Sequence, residues 1–177
     1  MMKRTTLLAL IVFCSGACAE SAEDHAATGA SQLQPFKAEL KAALVAGMKQ
    51  GPAVAIEVCK TRAPEIAGRL SIGGVEMGRS SHRLRNPDNQ GPGWVGPLVM
   101  RYAEGEGGTE PVTVMLDDGR VGYAEPIMMQ PLCLTCHGTT LADDVAEQLS
   151  AMYPEDQATG FSEGDFRGVF WVDFPKE

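Results

Sequence analysis

Residues 111–131, PVTVMLDDGRVGYAEPIMMQP, read as two strands folded about Asp118-Gly119. An Asp-Gly pair between apolar runs is a strong hairpin signal, because the turn needs a positive φ that glycine adopts without steric cost. A hairpin makes its neighbourhood in the sheet antiparallel. Further along, FRGVFWVDF (166–174) supplies another strand-like run. Between them LADDVAEQLSAMYP (141–154) reads as an amphipathic helix, with acids in its first turn and Thr139 or Thr140 available as N-cap.

Upstream of the hairpin the period changes. In SQLQPFKAELKAALVAGMKQG (31–51), Leu33, Phe36, Leu40, Leu44, Val45 and Met48 recur at helical spacing, with Ser31 as N-cap and Gly51 as stop. Pro52 then opens a second helix, PAVAIEVCKTRAPEIAGRL (52–70), which Pro64 is expected to end or kink near Arg62. Residues 71–97, rich in Gly, Pro and Asn, read as extended segments and loops. The order helix, helix, strands, helix, strand gives one α+β domain over 32–177.

The N-terminus stands outside that domain. Lys3 and Arg4, an apolar run from Leu7 to Phe13, and small residues up to Ala19 have the layout of a secretory signal peptide over residues 1–19. Ala17-Cys18-Ala19 fits a cleavage site. The alternative is a lipobox with Cys18 as the lipidated residue. Export places the protein in the periplasm, and no later segment is apolar for long enough to span a membrane. Residues 20–31, small and polar, read as a disordered leader. A net charge of -8 argues against tracking nucleic-acid phosphates.

The hairpin runs straight into PLCLTCHGTT (131–140), where Cys133, Cys136 and His137 sit together in a chain with only 5 Cys and 3 His. Two cysteines three apart reach the two vinyl groups of one haem, and the histidine that follows lies under the iron as proximal ligand. A structural zinc site would need two further ligands at recognisable spacing. A thioredoxin-like pair belongs at a helix N-terminus, and here the helix begins several residues later. A plain disulfide leaves His137 unexplained. One covalent haem c is therefore expected, carried on a loop.

The opposite face of the iron has several candidates. Met128 and Met129 are close in sequence to the attachment loop, and Met77 and Met100 lie further off. His82 is flanked by Arg79, Arg83 and Arg85 and reads as a surface residue, while His25 falls in the leader. Cys59 is an odd thiol in an oxidising compartment, on an apolar helix with Lys60 and Arg62 nearby to favour its thiolate. The residues alone leave these open.

Four segments in order, AIEVCKTRAPEIA (55–67), GRSSHRLRNPDN (78–89), CLTCHG (133–138) and YPEDQATGFSEGDFRGVFWVDF (153–174), resemble the PAS-like c-type haem domains. These occur as stand-alone exported proteins and as sensor portions of bacterial receptors. The resemblance implies a PAS-like antiparallel sheet with flanking helices. It implies thioether bonds at Cys133 and Cys136, His137 as proximal iron ligand and Cys59 as distal ligand. Arg79 or Arg85 then faces a haem propionate, since a guanidinium pairs with a carboxylate. The chain departs from the family pattern at Trp94-Val95-Gly96-Pro97, where a glutamate is expected after the tryptophan.

The function implied is redox or small-ligand sensing with His/Cys axial ligation, with periplasmic electron transfer as the alternative. The partner would be a redox protein or a signalling receptor. No catalytic residue is assigned, and a peroxidase would have only His82 as a distal acid–base group.

Overall fold

The structure, a computed structural model, describes residues 22–176, with side chains from Asp24. The signal-peptide residues, Cys14 and Cys18 lie outside the described residues. Helices α1 (Ala22–Met48) and α2 (Pro52–Leu70) form a helical hairpin. Strand β1 (Glu76–Ser80), a 3-10 turn at Pro87–Gln90 and helix α3 (Val95–Ala103) follow. Strands β2 (Val112–Met115) and β3 (Val121–Met128) are the expected hairpin, closed by Gly119 at φ 85° and by a Gly119 N–H bond to the Leu116 carbonyl. Helices α4 (Leu134–His137) and α5 (Asp143–Met152) precede the last strand, β4 (Phe166–Phe174).

The sheet order is β1-β4-β3-β2, and every pairing is antiparallel. Because strand side chains alternate, β4 serves both faces of the sheet. Val169 and Trp171 pack with Val95, Leu98, Val99 and Tyr102 of the α3 side. Phe170 and Val172 pack with Leu33, Phe36 and Ile66 of the α1–α2 layer. Burying a side chain such as Phe36, 1% exposed, contributes about 1.5–3 kcal/mol.

Several expectations are corrected. Residues 22–31 are helical, continuous with α1, because small side chains there let the helix lie close to β3. At Gly29 any Cβ would fall 2.3 Å from the Tyr123 ring. Pro64 does not end α2. It removes one backbone bond, but packing against α1, β1 and α5 keeps the helix straight enough to run on to Leu70. The segment after Gly91 is not all loop. Pro97 is the third residue of α3, inside the first turn, where its missing N–H costs nothing. Trp94 precedes that helix and donates from Nε1 to Asp173 Oδ2 at 3.1 Å, and Val95, which stands where the family pattern has a glutamate, is buried in the core on the α3 side. The attachment motif is a 3-10 turn (Pro131–Cys133) running into α4 rather than a loop, and α5 is preceded by Ala142, not by a threonine cap. Among the described residues no helix is long and apolar enough to cross a membrane.

Candidate functional site

Where β3 ends, the chain is pinned before it turns. Met129 N–H bonds the Asp165 carbonyl and Gly164 N–H bonds the Met129 carbonyl. The turn that follows brings Cys133, Cys136 and His137 to one wall of a cavity between the α1–α2 hairpin and the sheet. Gly138 closes α4, and a Cβ there would lie 2.6 Å from the Leu134 carbonyl oxygen. Two backbone bonds, from Phe161 N–H to the His137 carbonyl (2.9 Å) and from Gly160 N–H to the Gly138 carbonyl (2.8 Å), staple this wall to the segment before β4.

That segment also fixes the imidazole. His137 Nδ1 lies 2.6 Å from the Ala158 carbonyl oxygen, which can only accept, so Nδ1 carries the proton and Nε2 keeps its lone pair. Burial pushes the His137 pKa down to about 2, helped by Arg85 and then Arg167. A neutral imidazole with one nitrogen tied to a carbonyl is the form that ligates a metal.

Arg85 braces the same wall. Its guanidinium donates to the Cys136 carbonyl (2.5 Å), the Ala158 carbonyl (3.2 Å) and Asp156 Oδ2 (3.1 Å). Asp156 Oδ1 in turn accepts from Ala158 N–H at 2.7 Å. Arg85 Nη1 is 3.5 Å from His137 Nε2.

Cys59 of α2 lines the same cavity, with Leu40, Ile56, Ile127 and Phe170 among its apolar neighbours on the walls. Burial raises the Cys59 pKa, opposed by Arg79 and Arg85. Those are not the cations the sequence suggested. Lys60 instead donates to the Met152 carbonyl at 2.6 Å, and Arg62 pairs with Glu65 at 2.6 Å on the surface. Of the other candidates for the distal face, Met129 reaches the cavity but is packed among Cys133, Leu134, Ala158 and Phe161. Met77, Met100, Met128 and His25 are not on its walls.

His82 is half-buried rather than fully on the surface. Its ring stacks on Phe166 (5.6 Å between centroids) and meets Phe161 edge-on (6.0 Å), away from the cavity lining. Burial lowers its pKa, and its Nδ1 has no hydrogen-bond partner among the described residues.

Three guanidiniums face the cavity: Arg79, Arg85 and Arg167. Arg167 on β4 escaped the sequence reading, since only the pairing of β4 with β1 brings it beside the 79–85 segment. Its neighbours are neutral acceptors, Ser81 Oγ at 2.7 Å and the Arg83 carbonyl at 3.2 Å. Burial lowers the Arg167 pKa to about 9, with Arg85 and Arg79 adding to the effect. Among the described residues no three or more His, Cys, Asp or Glu gather into a group that could hold a bare metal ion. A haem iron asks less of the protein, because the porphyrin supplies four of its ligands. His137 and Cys59 on the walls of one cavity, two cysteines for the vinyl edge, apolar lining and surplus positive charge fit a haem.

Comparison with known proteins agrees with this geometry. The sequence model of the Tll0287-like family matches residues 17–175. Among solved structures, that of the cyanobacterial haem protein Tll0287 superposes with a TM-score of 0.59 at 23% identity, over 83% of this chain and 94% of that one. At that identity the likeness establishes a shared fold, the PAS-like antiparallel sheet with flanking helices. No curated protein gives a significant match.

Proposed function

The chain belongs to the Tll0287-like family, and from that premise we propose that it is an exported, periplasmic c-type haem protein that senses redox state or a small ligand. The observation that carries the reading is the shared cavity: His137 and the Cys133/Cys136 pair on one element, Cys59 on another. When bound, haem supplies a one-electron couple and two axial positions on its iron.

The residues divide the work. Cys133 and Cys136 fix the cofactor through thioethers, and His137 offers Nε2 while Ala158 holds its Nδ1 proton. Cys59 would hold the iron from the other wall as a thiolate, a strong donor that would favour the ferric state and so a low potential. The buried setting that raises its pKa also favours its release as a thiol. Release frees α2, and a ligand or electron that shifts the balance of bound and free Cys59 shifts the helix with it.

Electron carriage is the second reading. It is favoured by Leu132, which lines the cavity beside Cys133 and is 44% exposed, so that a cofactor held there would have an edge near the surface. We assign no catalytic residue, since the distal group a peroxidase would use, His82, is held between aromatic rings.

The test is the visible spectrum of ferric and ferrous protein made in cells that mature haem c, with Cys59→Ala alongside. A low-spin, thiolate-type ferric spectrum that Cys59→Ala abolishes is the expected result. An unchanged spectrum in the variant removes Cys59 from the iron, and no covalent haem in either sample removes the whole reading.

A further inference from the structure

The cavity carries more positive charge than the protein neutralises. Of its three guanidiniums, only Arg85 meets a carboxylate, Asp156, both side chains being nearly buried. The Arg79 guanidinium makes no ion pair and no hydrogen bond among the described residues, and that of Arg167 donates to a hydroxyl and a carbonyl and lies 5.5 Å from the centre of the Phe161 ring. The two project from adjacent antiparallel strands, β1 and β4; burial lowers the pKa of each, and neighbouring guanidiniums add to the effect. Asp156 reaches Arg167 only at a distance, and enclosed like charges without a bonded carboxylate are costly; they persist where a ligand supplies the anions.

We infer that Arg79 and Arg167 are the carboxylate anchors of the cavity, pairing with the two propionates of haem, and that Arg85 is not one of them. The inference rests on the haem reading. Arg85 has spent its donors: it is bonded to the carbonyl of Cys136 itself, the residue of the thioether edge. In a haem the propionates hang from the edge opposite the vinyl groups, so an anchor must lie away from that cysteine. Arg79 and Arg167 have the free charge and come from the sheet rather than from the attachment turn. A guanidinium presents two parallel N–H groups that match a carboxylate, which a lysine does not.

The experiment is a potentiometric titration of the haem-loaded full chain across pH 5 to 8. The variants are Arg79→Gln, Arg167→Gln and Arg167→Lys, with Arg101→Gln on the far face of the sheet as control. Losing a cation beside a propionate favours ferric iron and makes the acid harder to ionise. The midpoint should therefore fall in both Gln variants, and the pH-dependent part of the profile should move to higher pH. Arg167→Lys keeps the charge and should hold most of the midpoint, while Arg101→Gln should leave it in place. Arg79 has no internal bond to lose, so its variant keeps the test sound if Arg167→Gln misfolds. Covalent haem in Arg79→Gln with an unmoved midpoint and profile overturns the inference alone, as does an equal shift in Arg101→Gln. An unsubstituted chain without haem overturns the haem reading and this inference with it.

Discussion

His137 Nδ1 donates its proton to the Ala158 carbonyl oxygen across 2.6 Å, and Arg85 donates to that same oxygen from 3.2 Å. One backbone carbonyl thus sets the tautomer of the cavity-lining imidazole, and the Arg85–Asp156 pair sets the carbonyl. Burial, with Arg85 and Arg167 behind it, keeps this histidine neutral in the folded chain; the Ala158 bond opposes that effect but fixes which nitrogen carries the proton.

That neutrality predicts acid sensitivity. Unfolded, His137 titrates near about 6.5, and folded it titrates at about 2, so the unfolded state binds more protons between the two. Stability of the haem-free chain is then full above pH ~6.5 and falls as pH drops, at a slope approaching about 1.4 kcal/mol per pH unit for one such histidine. His82, also depressed, adds to the same slope. Urea titrations between pH 7 and pH 5 should show a shallower loss in His137→Gln; an identical slope would mean that His137 is not held neutral.

Arg79 should matter in opposite ways with and without the cofactor. In the haem-free chain it is a cation without a partner, so Arg79→Met should raise stability by about 1–2 kcal/mol. Thermal melts of haem-free protein check this, and a loss of stability would mean that Arg79 finds a partner inside the folded chain.

Cys133 and Cys136 should be separable. Cys136→Ser leaves a single thioether, which the α-band of the pyridine haemochrome reports as a red shift. A variant spectrum identical to the parent would place the covalent bond elsewhere.

The first turns of α1 should be docked rather than frayed. Gly29 lies against Tyr123 with no room for a Cβ, so Gly29→Leu should cost about 1–3 kcal/mol through overpacking. Hydrogen exchange should show protection from about Ala30 onward, lost in the variant. Rapid exchange throughout 26–33 in the parent would contradict the packing.

What the sequence made legible were the features whose signal is local. The Asp118-Gly119 hairpin, the alternation in FRGVFWVDF and the period of α5 each lie within about twenty residues, and each is found where it was read; the Cys-X-X-Cys-His spacing is as local, but it lies on a 3-10 turn and α4 rather than on a loop. The misses share a different cause. The Ala- and Gly-rich stretch of 22–31 looks solvated until β3 is laid against it. Pro97 looks like a breaker until it is seen in the first turn of α3. His82 looks exposed among arginines because Phe161 and Phe166, which enclose it, are some 80 residues away. Arg167 acquires its place only through the register that sets Ser80 opposite Val169. Cys59 was singled out for its chemistry, but its charged neighbours, Arg79 and Arg85, come from tertiary structure rather than from α2.

At Gly47 a Cβ would stand only 2.8 Å from the Ala55 Cα, so α1 and α2 touch backbone to backbone. Two helices in such contact tilt together. The far side of α1, with Ala38, Ala42 and the half-exposed Val45, is the outer skin of the molecule. On the haem reading, a displacement of Cys59 would therefore carry to that skin, and an event at the cavity would acquire an outward address.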